Sequence, residues 1–376
     1  MCWSIRLFGS TNRIQCGYVC KGITLLLICY FLLQFVLIRR NIYPCQSKRP
    51  VRNYSSCKVH QENVTIFMDA FDWLNKKCFV DRYIKFVEAG QNCPPLPGGG
   101  ICTFSTTDKC SDGILSYAVR SDVNYQRQHQ DQIVIAFTME SEKGPHVHFP
   151  DNYDYDIKVS YHRDSTIPYP FFCEGDRTLQ LITRGQPPLP QGRSKVLGMI
   201  SNCDSAYRND YVTSLMEHLE IEQLGRCYQT KKVEVSDTRR LANWEDKKLE
   251  FLKTSKYKYI LAFENTVEPD YITEKVYHGL LNDMIPIYYG DSAIFHLIPG
   301  NHTILYAPDY TPKQLAEYIK KIDNDEKLYA SFFQNWDLKK IRTLHNKYCS
   351  EHFMCKVCRK TLELKYHQRG CSKLKL

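Results

Sequence analysis

Between Tyr257 and Gly290 the chain reads YKYILAFENTVEPDYITEKVYHGLLNDMIPIYYG, and Glu264, Asn265, Tyr271, Glu274 and Lys275 all fall within twelve residues of it. Carboxylates and an amide suit hydroxyl groups, a tyrosine offers a packing face, and one cation suits a phosphate. Together they suit a sugar nucleotide. Lys275 alone would carry little weight, because basic residues in a first helical turn are usually just exposed. The elements that must position these groups are also legible. Tyr259–Phe263 is short, apolar and rich in β-branched and aromatic residues, which predicts a buried strand. A polar loop runs through Pro269, Thr273 stands at an N-cap position, and Glu274–Leu281 reads as a helix. Met284–Tyr289, closed by Gly290, reads as the next strand. Such a βαβ unit binds nucleotides at the carboxyl ends of its strands. Lys275 would then lie beside the unpartnered N–H groups of a first helical turn, a favourable place for a diphosphate.

Other candidate groups lie at strand ends. Ile133–Phe137 predicts a buried strand, and Met139-Glu140-Ser141 follows it, so Glu140 would face the crevice of an open α/β sheet. By position alone a solvated loop carboxylate is the commoner case, and Glu142 is a rival. Val64–Met68 and Ile101–Phe104 read as further strands, and Asp112–Ala118 as a helix or a strand end. Lys195–Ile200 predicts a strand ending in Ser201-Asn202-Cys203. A helix over Tyr211–Leu219 would bury Val212, Leu215, Met216 and Leu219 on one face, with Arg208 in the turn before it. A structural role for Arg208, paired with Asp204 or Asp210, competes with a binding role. Asp154-Tyr155-Asp156 spells the DxD of metal-dependent glycosyltransferases, although short acidic repeats are common in tyrosine-rich loops. Cys355 and Cys358 form a Cys-x-x-Cys pair, but Cys349, His352 and Cys371 do not complete a recognised zinc arrangement.

The chain has 376 residues, 43% hydrophobic and 13% aromatic, which describes a globular protein with ample core. Its formal charge of +9 is spread along the sequence without an arginine-rich block. That balance suits a small anionic substrate or a juxtamembrane region and excludes a nucleic-acid partner. Residues 22–38, GITLLLICYFLLQFVLI, carry no charge and lie between Lys21 and Arg39–Arg40. They predict one transmembrane signal-anchor, with no small-residue cleavage site behind it. The basic residues after the span would place the carboxyl side in the cytosol. Against this stand the N-x-S/T sequons at Asn53, Asn63 and Asn301 and the thirteen of 17 cysteines that follow the span. Disulfides persist in oxidising compartments, so the reading is a lumenal carboxyl side. Thr183–Ser194, rich in Pro, Gly and charge, reads as an interdomain linker.

The pattern AFEN…DYITEK closely resembles the donor-binding signature of the α1,3-fucosyltransferases. MES at 139–141 is similar to that family's Met-Glu-Ser-Pro-type motif, with Glu142 where the family usually has proline. VSYHRDSTI at 159–167 resembles its YRRDSDI block, with His162 and Thr166 as departures. The resemblance runs from about Ile66 to Cys358. It implies an α/β fold of two Rossmann-like domains facing across a cleft (GT-B type), preceded by one transmembrane helix. The implied layout is a cytoplasmic tail at 1–21, the anchor at 22–38, a stem at 39–63 and an acceptor domain at 64–182. The linker at 183–194, a GDP-fucose domain at 195–345 and a Cys-rich tail at 346–376 follow. The implied activity is inverting transfer of L-fucose from GDP-fucose, in α1,3 linkage, to N-acetylglucosamine, with Glu140 as general base. Lys195, Ser201, Asn202, Arg208, Glu264, Asn265, Tyr271, Glu274 and Lys275 would bind the donor, and Arg163 and Asp164 would lie on the acceptor side. The resemblance also implies that Cys355 and Cys358 tie the tail back to partners among Cys78, Cys93, Cys102 and Cys110. No metal or cofactor is expected to be tightly bound, although Mn2+ or Mg2+ could stimulate. The expected setting is the Golgi membrane, single-pass and type II, with a glycan or glycoprotein acceptor and room for a homodimer. A metal-dependent enzyme using Asp154 and Asp156, or a non-catalytic glycan-binding protein, are the alternatives.

Overall fold

The structure, a computed structural model, describes residues 63–69, 93–105, 110–117, 127, 129–143, 154–189, 193–232, 244–255, 257–368 and 370. The anchor at 22–38, the stem before residue 63, Asn53, Cys78 and Cys371 lie outside the described residues. No helix among those described is long and apolar enough to cross a membrane.

Two parallel sheets organise the chain. The first comprises β1 (Val64–Asp69), β2 (Cys102–Ser105), β3 (Gly113–Tyr117), β4 (Ile133–Thr138), β5 (Ile157–Ser160) and β6 (Ile167–Pro168), in the order β2-β1-β3-β4-β5-β6. Every residue of β4 is buried. That is why it reads as a continuous apolar run, as strands of parallel sheets covered on both faces do. Residues 113–117 settle as a strand. Helix α1 (Arg177–Arg184) follows and stops at Gly185, whose φ of 76° is a left-handed conformation open to glycine at little cost. The segment read as a linker from Thr183 therefore begins two residues later. It is also tied down: Arg184 binds Asp283 and the Leu280 carbonyl, and Gln186 donates to the Trp336 carbonyl at 2.8 Å.

The second sheet contains β7 (Arg193–Gly198), β8 (Ile221–Gln223), β9 (Tyr257–Phe263), β10 (Ile285–Tyr289) and β11 (Leu305–Tyr306), in the order β11-β10-β9-β7-β8. Helices α2 (Ala206–Met216), α3 (Trp244–Ser255) and α4 (Glu274–Leu281) connect its strands. Helix α2 starts five residues before the expected Tyr211. Apolar spacing located its buried face at Val212 and Leu215, but its polar first turn carries no such signal. Arg208 is consequently inside the helix and not before it.

After α5 (Pro312–Asp323) and α6 (Glu326–Ser331) the chain returns to the first sheet through α7 (Leu338–Leu344), which packs on α1. Helix α8 (Phe353–Gln368) then lies on that sheet. Phe353 stacks on Phe137 with ring centroids 5.1 Å apart, and Lys365 reaches Asp112 at 2.5 Å. Disulfides Cys93–Cys355 and Cys102–Cys358 join the tail to the first domain, as the resemblance implied. Cys173–Cys349 adds a third tie and Cys203–Cys227 closes a loop of the second domain; neither was foreseen. Cys110 is disulfide-bonded as well. Sequon residues Asn63 and Asn301 are exposed.

The bridges at Cys355 and Cys358 each close a loop of more than 250 residues. Loss of a native disulfide typically costs about 2–5 kcal/mol. The double variant Cys355→Ser/Cys358→Ser should therefore unfold at markedly lower temperature and expose residues near α8 to protease. Calorimetry and limited proteolysis against the parent protein measure both effects.

Candidate active site

A cavity of about 370 Å³ opens at the carboxyl ends of β7 and β9. In the strand order of the second sheet the chain reverses direction between these two strands, which is where open α/β sheets bind ligands. Ser201, Asn202, Arg208, Asn265, Tyr271, Glu274 and Lys275 line it, and Glu140 and Phe171 face it from the first domain. Gly225 also contributes to the wall, where any Cβ would lie 2.0 Å from the Ile200 carbonyl oxygen.

Glu264, at the end of β9, is fully buried and does not reach the cavity. Its carboxylate accepts hydrogen bonds from the Thr273 N–H at 2.8 Å, the Thr273 hydroxyl at 2.8 Å and the Lys275 ammonium at 2.9 Å. Thr273 occupies the N-cap position of α4, yet its hydroxyl serves Glu264 and makes no capping bond. Gly290 leaves room for this cluster, since a Cβ there would stand 3.0 Å from Glu264 Cγ. Burial opposes the charge on Lys275, but Glu264 and Glu274 hold its pKa above the ordinary value. The Lys275 side chain is 29% exposed. It has three N–H groups, of which Glu264 and Thr273 take two, leaving one for an anion.

Glu274, by contrast, stands on the cavity wall. Burial pushes its carboxyl up, yet Lys275 and Lys248 together draw it well below the usual carboxylate range. Sequence could not separate Glu264 from Glu274; depth does. One is the support beneath the cation, and the other faces whatever enters.

Arg208 is 2% exposed, and its guanidinium donates to the backbone carbonyls of Asn202 and Phe263. It makes no bond to Asp204 or Asp210. Its Nε and the Asn265 Oδ1 are buried without a hydrogen-bond partner among the described residues. Unsatisfied buried polar atoms are costly and call for an account. Both residues line the cavity, so a polar ligand there would satisfy them. Tyr271 packs edge-on against Tyr161 at 5.0 Å and against Phe171 at 6.0 Å, joining the two domains at the cavity mouth. Burial raises its phenol pKa well above the ordinary value, with Glu140 and Glu264 adding to the effect.

Several expected residues are placed elsewhere. Lys195 lies outside the cavity, bound to Glu220 at 2.6 Å and Glu222 at 2.9 Å. Arg163 pairs with Asp270 of the second domain at 2.7 Å, which makes it an interdomain contact, while Asp164 is exposed in the adjoining turn. Glu142 is engaged by Lys158 at 2.7 Å and does not line the cavity, whereas the Glu140 side chain is exposed there. Asp154 and Asp156 both bind Arg127, and Asp156 accepts the Val134 N–H at 2.7 Å. They sit where β4 and β5 begin, at the end of the sheet away from Glu140. Among the described residues no group of three or more His, Cys, Asp or Glu side chains could hold a metal ion.

Among the cavity residues that sequence reasoning missed are His278, Lys248 and Phe171. His278 follows Glu274 by one helical turn and shares its face, a spacing that could have flagged it. Burial and the neighbouring Lys248 keep its imidazole pKa well below normal, hence neutral. Lys248 on α3 and Phe171 carry no local signal at all; only tertiary packing brings them to the cavity.

Removing one partner of a buried ion pair typically costs about 3–5 kcal/mol. Lys275→Met should therefore lose both stability and GDP affinity. The pair Glu264→Gln/Lys275→Met should recover most of the stability and none of the affinity. Thermal denaturation and GDP titration on the two variants separate the structural role of Lys275 from any role in binding.

Residues 189–375 match the family described as glycosyltransferase family 10 (fucosyltransferase) C-term. The chain is 35% identical over 158 residues to alpha-(1,3)-fucosyltransferase B of Drosophila melanogaster, covering 41% of this chain and 35% of that protein. It is 34% identical over 143 residues to human GDP-fucose protein O-fucosyltransferase 3, covering 37% and 29% respectively. These matches span about a third of the length of the curated relatives. A crystal structure of an alpha1,3-fucosyltransferase with GDP-fucose superposes with a TM-score of 0.48 and 15% identity, over 81% of this chain and 94% of that one. That likeness is too distant to bear on the site. Through residues 189–375, the part that builds most of the cavity wall, the chain belongs to glycosyltransferase family 10, the fucosyltransferases.

Proposed function

We propose that the protein is a GDP-fucose-dependent fucosyltransferase of GT-B type that inverts the anomeric centre, with Glu140 as its general base. The observation that carries this reading is one cavity with cations on its second-domain wall and an exposed carboxylate facing it from the first domain. The departing GDP gathers negative charge on its diphosphate. Arg208, Lys275 and the start of α4 stand where that charge would develop, so leaving-group stabilisation comes from preorganised protein groups. Glu140 takes the acceptor proton as the hydroxyl attacks from the face opposite GDP, assistance typically worth about 10²–10⁴-fold. The sugar passes through an oxocarbenium-like state. Glu274, anionic and on the wall, balances that charge or holds sugar hydroxyls. Asn265 presents an unpaired amide oxygen to a ligand hydroxyl.

The acceptor we infer is N-acetylglucosamine, fucosylated in α1,3 linkage on an N-glycan or other glycoconjugate. A protein hydroxyl is the second reading, favoured by the relatives named protein O-fucosyltransferase 3. Disulfides spread through both domains suit an oxidising lumen, in line with a type II Golgi membrane protein.

Incubation with GDP-fucose and a panel of chitobiose, N-acetyllactosamine and unglycosylated folded domains should yield one fucosylated class, identified by mass spectrometry. Silence toward all of them, without GDP release, would sink the reading. Glu140→Gln should abolish transfer while GDP binds as before, and full transfer by that variant removes Glu140 as the base. Activity should persist in EDTA; strict dependence on added Mn2+ or Mg2+ would restore a metal-based reading.

A further inference from the structure

Glu268 belongs to the second-domain loop between β9 and α4, yet its carboxylate is buried against the first domain. It accepts the Ser141 hydroxyl at 2.8 Å, the Lys143 N–H at 2.9 Å and the Glu142 N–H at 3.1 Å. These donors belong to one short turn, and that turn follows Glu140 directly. The His162 Nε2 lies 3.9 Å away. Glu142 does not compete for the turn, because Lys158 holds its carboxylate. On the other side of Glu140, the Thr138 hydroxyl accepts the Glu140 N–H at 3.1 Å. The backbone of Glu140 is thus bracketed, by its own strand on one side and by a carboxylate from the opposite domain on the other. The Tyr161 hydroxyl accepts the same Glu142 N–H at 3.1 Å, and its ring packs on Tyr271 of the Glu268 loop.

Taking a carboxylate out of water is costly, and charged hydrogen bonds repay the cost only where their geometry is satisfied. Here three donors from a single turn satisfy it. The loop that supplies Glu268 also supplies Asn265 and Tyr271 to the cavity.

We propose that Glu268 is a positioning residue for the transfer: it holds the 141–143 turn so that Glu140 faces the cavity, and donor bound against the same loop tightens that hold. The inference rests on the assignment of Glu140 as base.

The test uses the full chain and GDP as the probe, comparing the parent with Glu268→Gln, which keeps the shape and loses the charge and one acceptor atom. In the parent, amides 142 and 143 exchange slowly with deuterated water and more slowly still with GDP. In the variant they exchange about tenfold faster, as expected of a locally opened segment, and GDP no longer slows them. The GDP Kd stays within twofold. With whichever acceptor the panel identifies, kcat falls roughly 10–100-fold at unchanged KM for GDP-fucose, the scale set by misplacing a catalytic group. Hydrolysis of GDP-fucose falls far less. Ser141→Ala has a smaller effect, and none when added to Glu268→Gln. Should Glu268→Gln misfold, Ser141→Ala and Glu268→Asp serve for the same measurements. Parent-like exchange and kcat, or additive losses in the double variant, would overturn the proposal. If the parent neither transfers nor hydrolyses fucose, the functional reading fails instead, and exchange with GDP still decides whether Glu268 holds the turn.

Discussion

A carboxylate enclosed at the end of a buried strand must find donors, and Glu264 finds them in Thr273 and Lys275. That requirement shapes the site. The chain leaves β9, loops outward and returns nine residues later so that Thr273 can donate to Glu264 by both backbone and side chain. The start of α4 is thereby fixed in place, and with it the one ammonium that Glu264 supports at the cavity wall. A Cβ at Gly290 would crowd Tyr288 and Glu264, so a glycine is needed beside the cluster. The cation is held with its charge partly balanced from beneath and with hydrogen-bonding capacity left for an anion. Preorganisation of this kind spares a site the reorganisation that water would need as charge develops.

The second constraint is that groups from two domains must meet. Glu140 comes from the end of the first sheet, whereas Arg208, Asn265 and Lys275 come from the second, so one cavity can carry all four only at a fixed distance across the cleft. Several independent contacts set it. Tyr271 packs on Tyr161 and Phe171, Arg163 pairs with Asp270, and Arg184 binds Asp283 at the end of α4. One apolar core runs from β1 and β4 through α1 to α4 and on to α8. The tail helix completes this arrangement: it leaves the second domain and is stapled to the first by disulfides. Relative domain motion is the default where interfaces are small and polar. Here the shared apolar core opposes it.

Charge is sorted by depth. Glu264 lies beneath the surface and Glu274 on it, while neutral His278 sits one turn further along the helix. Lys248 and Lys275 draw Glu274 toward its anionic form, and Arg208 sits opposite on α2. The cavity therefore offers a cationic part suited to a diphosphate and a carboxylate suited to a sugar, within one compact space. Asp154 and Asp156, whose spelling suggested a metal site, serve instead to anchor Arg127 and to cap the start of β4.

Features that depend on near neighbours along the chain are legible in the amino-acid sequence alone. Short apolar runs mark β4, β9 and β10. Helix α4 is bounded to the residue because Thr273 and the spacing after it are local signals. That Asn265, Tyr271, Glu274 and Lys275 lie together likewise follows from a strand end and a helix start, whereas Ser201, Asn202 and Arg208 are pointed to by the family resemblance. What the sequence leaves open depends on contacts between distant segments. Lys195 looks like a site residue because its strand leads to the cavity, but Glu220 and Glu222, at the neighbouring strand, claim its charge on another face. Glu264 and Glu274 are chemically alike, and only the path of the loop encloses one and leaves the other half-buried on the cavity wall. Lys248, Phe171 and Glu268 reach their partners from distant parts of the chain, over separations at which propensity and periodicity carry no information. Local physics decided which elements form and which of their ends carry polar groups; desolvation, which is paid only when elements pack, decided which of those groups could be left facing a ligand.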